Sequence, residues 1–280
     1  MAEIVGGAAM SHVPAIGVAI DSGKTQDAYW QPVFRGFEFS RRWLAALKPD
    51  IAIVVYNDHA SAFSLDIIPT FAIGCADSFA PADEGWGPRS VPAIEGHPDL
   101  AGHLARELVL ASFDMTIVNK MDVDHGLTVP LNLMCGSPRT WPFKVVPLCV
   151  NVVHFPPPTG WRCFDLGKAI RKAVASYSSS ERIVVFGTGG MSHQLQGPRA
   201  GLINSGFDKR FLDCIANDPE SLARIPHLDY IREAGSEAVE LVMWLVMRGA
   251  LAERTTEIHR FYHVPVSNTA LGHIVLEDAR

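Results

Sequence analysis

Cysteine is scarce and unpatterned. The five residues Cys75, Cys135, Cys149, Cys163 and Cys214 form an odd set without C-x-x-C spacing, which suits reduced thiols in a cytosol better than a disulfide framework. Positive charge is not in excess: 24 Lys and Arg face 30 Asp and Glu, a net charge of −6, so a phosphate backbone is not an expected partner. No run approaches the roughly 18 apolar residues of a membrane span; the most apolar one, Ala238 to Met247, is interrupted by Glu240. No basic stretch precedes Lys24, and the apolar start is broken by Ser11, His12 and Pro14, so no signal peptide is expected and the expected compartment is the cytoplasm. Internal repeats, low-complexity tracts and composition shifts are missing as well, which predicts one domain over residues 1–280.

What is present is an ordinary folded chain, 48% hydrophobic and 19% charged over 280 residues, long enough to bury a substantial core. Short β-branched runs predict strands at Glu3–Ala8, Ile51–Tyr56, Met115–Asn119, Lys144–Val153 and Arg182–Phe186, with weaker ones at Ile67–Ile73, Arg260–Val266 and His273–Leu276. Apolar residues at three- and four-residue spacing predict helices at Phe37–Leu47, Asp99–Ser112, Phe164–Ser176, Asp208–Ala216 and Gly235–Ala250. Interleaved in this way, they predict a single α/β domain with three α/β/α layers around a central, mixed sheet. Phe79–Pro98 is a long turn-rich stretch of the kind that borders a binding site or packs on its own tryptophan, Trp86.

Three of the eleven histidines, His12, His59 and His193, fall just beyond predicted strands. Ligand sites of open α/β sheets gather there. Singly, each is the kind of histidine that usually serves as a hydrogen-bonded structural residue. The strand Ile51–Tyr56 delivers Asn57, Asp58 and His59 to its mouth, and polar residues ending an apolar strand must be paired or solvated. Glycines 187, 189 and 190 precede His193 without forming a G-x-G-x-x-G fingerprint, so they predict close backbone approach or an unusual dihedral. Ser192 lies in no G-x-S-x-G elbow, which argues against a serine hydrolase.

Glu240 sits in a segment apolar nearly all round, where an ionised carboxylate must be neutralised by its own proton, a base or a metal. Arg248 is too far along to be its local partner, and Glu237, the competing ligand, lies near a helix start that favours acids anyway. The bland alternative is a carboxylate hydrogen-bonded to a loop. Two histidines and a carboxylate suit non-haem Fe(II) and also zinc. His193 and His125 as additional proton-transfer groups favour O₂ chemistry on a hydroxylated ring.

Seven blocks then point one way: 11–15 (SHVPA), 55–63 (VYNDHASAF), 81–89 (PADEGWGPR), 121–126 (MDVDHG), 187–201 (GTGGMSHQLQGPRAG), 239–245 (VELVMWL) and 267–272 (SNTALG). In this order they resemble the class III extradiol ring-cleaving dioxygenases, in particular their protocatechuate 4,5-dioxygenase β-subunit type. The resemblance implies Fe(II) held by His12, His59 and Glu240, with His193 as acid and base and His125 beside the reacting oxygens. It further implies that Ser267 and Asn268 recognise a substrate carboxylate, and that Asn57 borders the pocket. The implied reaction is cleavage of protocatechuate between C4 and C5 with both atoms of O₂, giving 4-carboxy-2-hydroxymuconate semialdehyde. Gallate or 3-O-methylgallate cleavage is not distinguished from it. Because the chain stops soon after Leu276, without the fused cap of single-chain gallate-cleaving relatives, a separate small helical α chain in an α₂β₂ particle is expected. A zinc-dependent hydrolase and a non-catalytic binding protein are the rival readings.

Overall fold

A computed structural model describes Met1 to Ala279. Among the described residues ten strands occur in chain order: β1 (Glu3–Met10), β2 (Ile51–Tyr56), β3 (Phe71–Gly74), β4 (Ser78–Phe79), β5 (Ile94–Glu95), β6 (Met115–Val118), β7 (Lys144–Val150), β8 (Arg182–Thr188), β9 (Thr255–Val266) and β10 (Thr269–Asp278). Eight of them make one sheet in the order β6-β3-β7-β2-β8-β1-β10-β9, while β4 and β5 pair separately.

Strand β2 is apolar at every position because both of its faces are covered. Ile51, Ile53 and Val55 enter one core, and Ala52, Val54 and Tyr56 enter the other. Helices Pro98–Leu110, Gly160–Ser176, Ser205–Asn217 and Val242–Ala250 supply the first core. Pro14–Asp21, Gln31–Gly36, Glu38–Leu47 and His125–Cys135 supply the second. The expected three layers and mixed sheet are therefore present.

The topology gathers distant residues at one edge. Strands β1, β8, β2 and β7 run parallel, so the segments that follow them emerge together. Strand β10 runs antiparallel to β1, which brings the β9–β10 turn, Ser267 and Asn268, to that same edge; an isolated bridge between His193 and Thr269 ties it there.

Several local expectations are corrected. The strand predicted over Glu3–Ala8 runs on to Met10, and Pro14 opens a helix, where its missing N–H costs nothing. The continuous helix predicted over Gly235–Ala250 is a 3₁₀ segment, Ser236–Leu241, followed by the α-helix Val242–Ala250. Gly235, at φ +102°, starts that segment, and a Cβ there would lie 2.0 Å from the His193 carbonyl oxygen. The helix His125–Cys135 was not expected, since it contains Pro130 and every residue from His125 to Met134 is buried, which leaves no amphipathic period to read.

Candidate active site

Four histidines and one carboxylate converge at this edge. His12 follows β1, His59 follows β2, His193 follows β8, and His125 opens the helix His125–Cys135. Glu240 comes from the 3₁₀ segment. These five, with Asn57, Ser267 and Asn268, line a single open cavity of about 500 Å³. A larger cleft of about 640 Å³ near Arg41 and Phe143 gathers no comparable ligand set among the described residues, so chemistry rather than volume marks the site.

Each imidazole is held through Nδ1. His12 Nδ1 is 2.9 Å from Thr188 Oγ1, His59 Nδ1 3.0 Å from Asp124 Oδ2, and His193 Nδ1 2.7 Å from the Met191 carbonyl. His125 Nδ1 pairs with the Glu84 carboxylate, whose other oxygen accepts the His125 N–H at 2.9 Å. A carboxylate or carbonyl acceptor fixes a proton at Nδ1 of His59, His125 and His193, and the Thr188 hydroxyl, which can accept as well as donate, allows the same tautomer in His12, with its Nε2 lone pair free. His12, His59 and His125 each offer a ring nitrogen within 4.8 Å of the others. Glu240 Oε2 lies 3.3 Å from His12 Nε2 and 3.9 Å from His193 Nε2, and Oε1 lies 4.0 Å from His59 Nε2.

The residues fit a metal cation. His12 Nε2 is buried and has no hydrogen-bond partner, although a carboxylate oxygen lies near. With Nδ1 protonated, two lone pairs face each other, an arrangement that repels unless a positive charge sits between them. Electrostatics agree. Burial pushes the Glu240 carboxyl up, but His12, His193 and His59 override it and hold it far below the usual range. Burial likewise raises Asp124, but His59 and His125 bring it to about 2. His59 would be lowered by burial, yet Asp124, Glu240 and Glu84 raise it to about 9. His12 is lowered by burial, against the pull of Glu240. The acids thus demand positive charge, which protons or a metal can provide.

The glycines before His193 have the predicted cause. Gly189 adopts φ +133°, and a Cβ on it would lie 2.8 Å from Glu240 Cβ. On Gly190 a Cβ would press within 2.5 Å of the His193 ring, and the Gly190 N–H donates to Glu240 Oε2 at 2.5 Å. Asp58 turns inward to cap its own loop, accepting the N–H groups of Ser61, Ala62 and Phe63. Glu237 lines the cavity but accepts the Leu195 N–H. Arg248 binds the carbonyls of Ile215, Ala252 and Glu253, away from Glu240.

The anchors Asp124, Glu84 and Thr188 escaped sequence reasoning. Asp124 precedes His125 in a block already singled out, and it is doubly employed, capping the helix through the Gly126 N–H as it holds His59. Glu84 explains the long stretch Phe79–Pro98, which borders the site rather than merely packing on Trp86, itself 79% exposed.

Comparison with known proteins agrees with this chemistry. Residues 6–272 match the family model for the catalytic LigB subunit of aromatic ring-opening dioxygenase. A gallate dioxygenase of Pseudomonas putida is 37% identical over 197 residues, covering 70% of this chain and 58% of the relative. A 2,3-dihydroxyphenylpropionate/2,3-dihydroxicinnamic acid 1,2-dioxygenase of Rhodococcus sp. is 30% identical over 205 residues, covering 73% of this chain and 62% of that one. The aligned part thus spans about three fifths of the length of these curated relatives. An uncharacterized Escherichia coli K12 protein of known structure superposes with a TM-score of 0.58 at 14% identity, covering 97% of this chain and 99% of its own, which shows a shared fold. With the family model matched over nearly the whole chain, the protein belongs to the LigB family of class III extradiol, aromatic ring-opening dioxygenases.

Proposed function

We propose that this chain is the catalytic subunit of an Fe(II)-dependent dioxygenase that opens a carboxylated catechol beside its hydroxyl pair. The observation that carries the reading is the set of imidazoles anchored at Nδ1, their Nε2 atoms turned toward one cavity beside the buried Glu240. His12, His59 and Glu240 would hold the metal, because Glu240 is the carboxylate nearest the His12 and His59 Nε2 atoms. When bound, Fe(II) supplies the Lewis acidity that ionises a chelated catechol and the redox chemistry that lets O₂ react with its ring.

The remaining steps belong to the chain itself. His193 Nε2 faces the cavity while Nδ1 stays fixed on the Met191 carbonyl, so it can take a hydroxyl proton and later return it to the breaking O–O bond. His125, held by Glu84, hydrogen-bonds the reacting oxygens. Ser267 and Asn268, which line the same cavity, bind the ring carboxylate, and Asn57, its amide nitrogen 3.0 Å from His59 Nε2, borders the pocket. Both atoms of O₂ enter the product. For protocatechuate, cut between C4 and C5, this is 4-carboxy-2-hydroxymuconate semialdehyde.

The gallate dioxygenase relative favours a second substrate, gallate or 3-O-methylgallate, which keeps the same carboxylate and vicinal hydroxyls. A small helical α chain covering the cavity, in an α₂β₂ particle, completes the proposal. Supporting it, the cavity residues Val153 and Leu195 stay 50% and 51% exposed, apolar surface that suits a partner. No helix among the described residues is long and apolar enough to cross a membrane, and all five cysteines are unpaired, in keeping with a cytoplasmic home.

The test is oxygen uptake by anaerobically purified protein reconstituted with Fe(II), with a capping chain supplied, against protocatechuate, gallate and 3-O-methylgallate. Stoichiometric O₂ consumption with a yellow ring-opened product is expected, and Zn(II) should not replace iron. Equal turnover with zinc, or hydrolysis without O₂, would refute the proposal.

A further inference from the structure

A second buried carboxylate stands behind His193, outside the cavity. Asp208 lies in the first turn of the helix Ser205–Asn217 and is 0% exposed. Its Oδ1 accepts the Ser192 N–H at 2.9 Å, and Oδ2 accepts the Ser192 hydroxyl at 2.6 Å and the Tyr262 hydroxyl at 2.7 Å. The Ser192 hydroxyl in turn accepts the Asn204 N–H at 2.8 Å. Burial pushes the Asp208 carboxyl up, while the hydrogen bonds from Ser192 and Tyr262 pull it back. Burial and the neighbouring Asp208 keep the Tyr262 hydroxyl protonated far above its ordinary range, so it remains a donor.

The clamp acts one residue from the proposed acid and base. With Ser192 fixed on Asp208, the Ser192 carbonyl accepts the Ala270 N–H at 3.0 Å, and the His193 N–H donates to the Ala234 carbonyl at 2.8 Å. The His193 ring then folds back onto the Met191 carbonyl at 2.7 Å. Gly189, at φ +133°, and Gly190 precede this turn, and glycine offers little resistance to a change of path. The rigidity of the segment therefore comes from its anchors rather than from its own backbone.

We propose that Asp208, acting through Ser192 and supported by Tyr262, is a positioning residue that fixes the place and tautomer of His193. Only a carboxylate meets this donor set. An amide turned to keep oxygen beside the two hydroxyls points its NH₂ at the Ser192 N–H, and turned the other way it gives the two hydroxyls no acceptor. The catalytic consequence rests on the function proposed above; the structural one does not.

The experiment pairs two readouts on Asp208→Asn. Nitrogen-15 spectra of the Zn(II)-substituted, diamagnetic protein should show His193 of the wild type as one tautomer protonated at Nδ1, and the variant as an exchanging mixture. In the Fe(II) enzyme, kcat should fall about 10- to 100-fold, the scale set by a reacting group displaced by about 1 Å, with KM and iron content nearly unchanged. Should Asp208→Asn fail to fold, Ser192→Ala, which removes the hydroxyl and keeps the main-chain donor, carries the same two measurements with a smaller loss of kcat. An unaltered His193 tautomer in the folded variant, or loss of iron in place of the loss of kcat, would overturn the proposal. If the wild type cleaves no catechol at all, the function reading fails, and the tautomer spectra still decide the role of Asp208.

Discussion

Two buried histidines near the junction of β1 and β10 have opposite fates. His273 pairs with Met10 inside the ladder, and His12 lies two residues beyond Met10, where the strand has ended. Both are nearly inaccessible, at 0% and 3% exposure. His273 has both ring nitrogens occupied, Nε2 by Ser40 Oγ at 2.7 Å and Nδ1 by the Ala9 carbonyl at 2.8 Å, and it stacks on Phe37. His12 has only Nδ1 occupied, and Nε2 confronts Glu240 across the cavity wall. Burial alone therefore does not mark a functional histidine. An unspent ring nitrogen held toward a cavity by its satisfied partner does.

The comparison is broken most forcefully at His193, which shares the one-sided satisfaction of His12 but stands farther from Glu240. His193→Ala should lower turnover by about 10²- to 10⁴-fold, the usual worth of a positioned proton carrier, while iron analysis finds near-normal metal. Metal loss on the same scale would move His193 into the ligand set. His273→Leu should do the reverse. It leaves the Ser40 hydroxyl and the Ala9 carbonyl to be satisfied elsewhere, at about 1–3 kcal/mol each, so chemical denaturation should register a loss of that order with metal content intact. A fall in metal content at unchanged stability would contradict the structural role of His273.

How far these roles were legible beforehand depends on the range of the interaction that creates them. Strand β2 could be read in full, because burial on both faces writes itself into consecutive residues. His12, His59, His193 and Glu240 were legible as polar residues at strand ends or in an apolar segment, each costly enough to require a reason. Their partners were not. Glu84 lies 41 residues from His125, Asp124 65 from His59 and Thr188 176 from His12, and no local period links residues so far apart. The helix His125–Cys135 was hidden for another reason, since full burial erases the polar face that betrays a helix. The 3₁₀ start before Val242 was obscured because apolar spacing alone does not separate a tight turn from an α-helical one.

Smaller effects sharpen the contrast between cavity and core. Ser267→Ala should cost a carboxylated catechol about 1.5–3 kcal/mol of binding if the hydroxyl makes a charge-assisted hydrogen bond, seen as a raised KM with little change for catechol itself. An equal change for both substrates would remove Ser267 from carboxylate recognition. In the core, burial first, with His259 adding to it against the Ala9 hydrogen bond, holds His273 down to about 3. A histidine whose folded pKa is depressed stays neutral in the native state and binds a proton when unfolded. Its penalty is therefore absent above about pH 6.5, grows as pH falls toward 3, and reaches about 1.4 kcal/mol per pH unit within that window. Denaturation midpoints of wild type and His273→Leu between pH 7 and 4 should converge as the pH drops; parallel curves would show that this histidine is not buried neutral.

The convergence of His12, His59 and Glu240 on one cation is tested most directly by anaerobic Fe(II) titration of the metal-free chain beside Glu240→Gln. One tightly bound ion per chain is expected for the wild type. The variant should lose more than the roughly 10- to 100-fold in affinity that removing an outer partner of a ligand costs. Equal affinity in the two proteins would contradict the account.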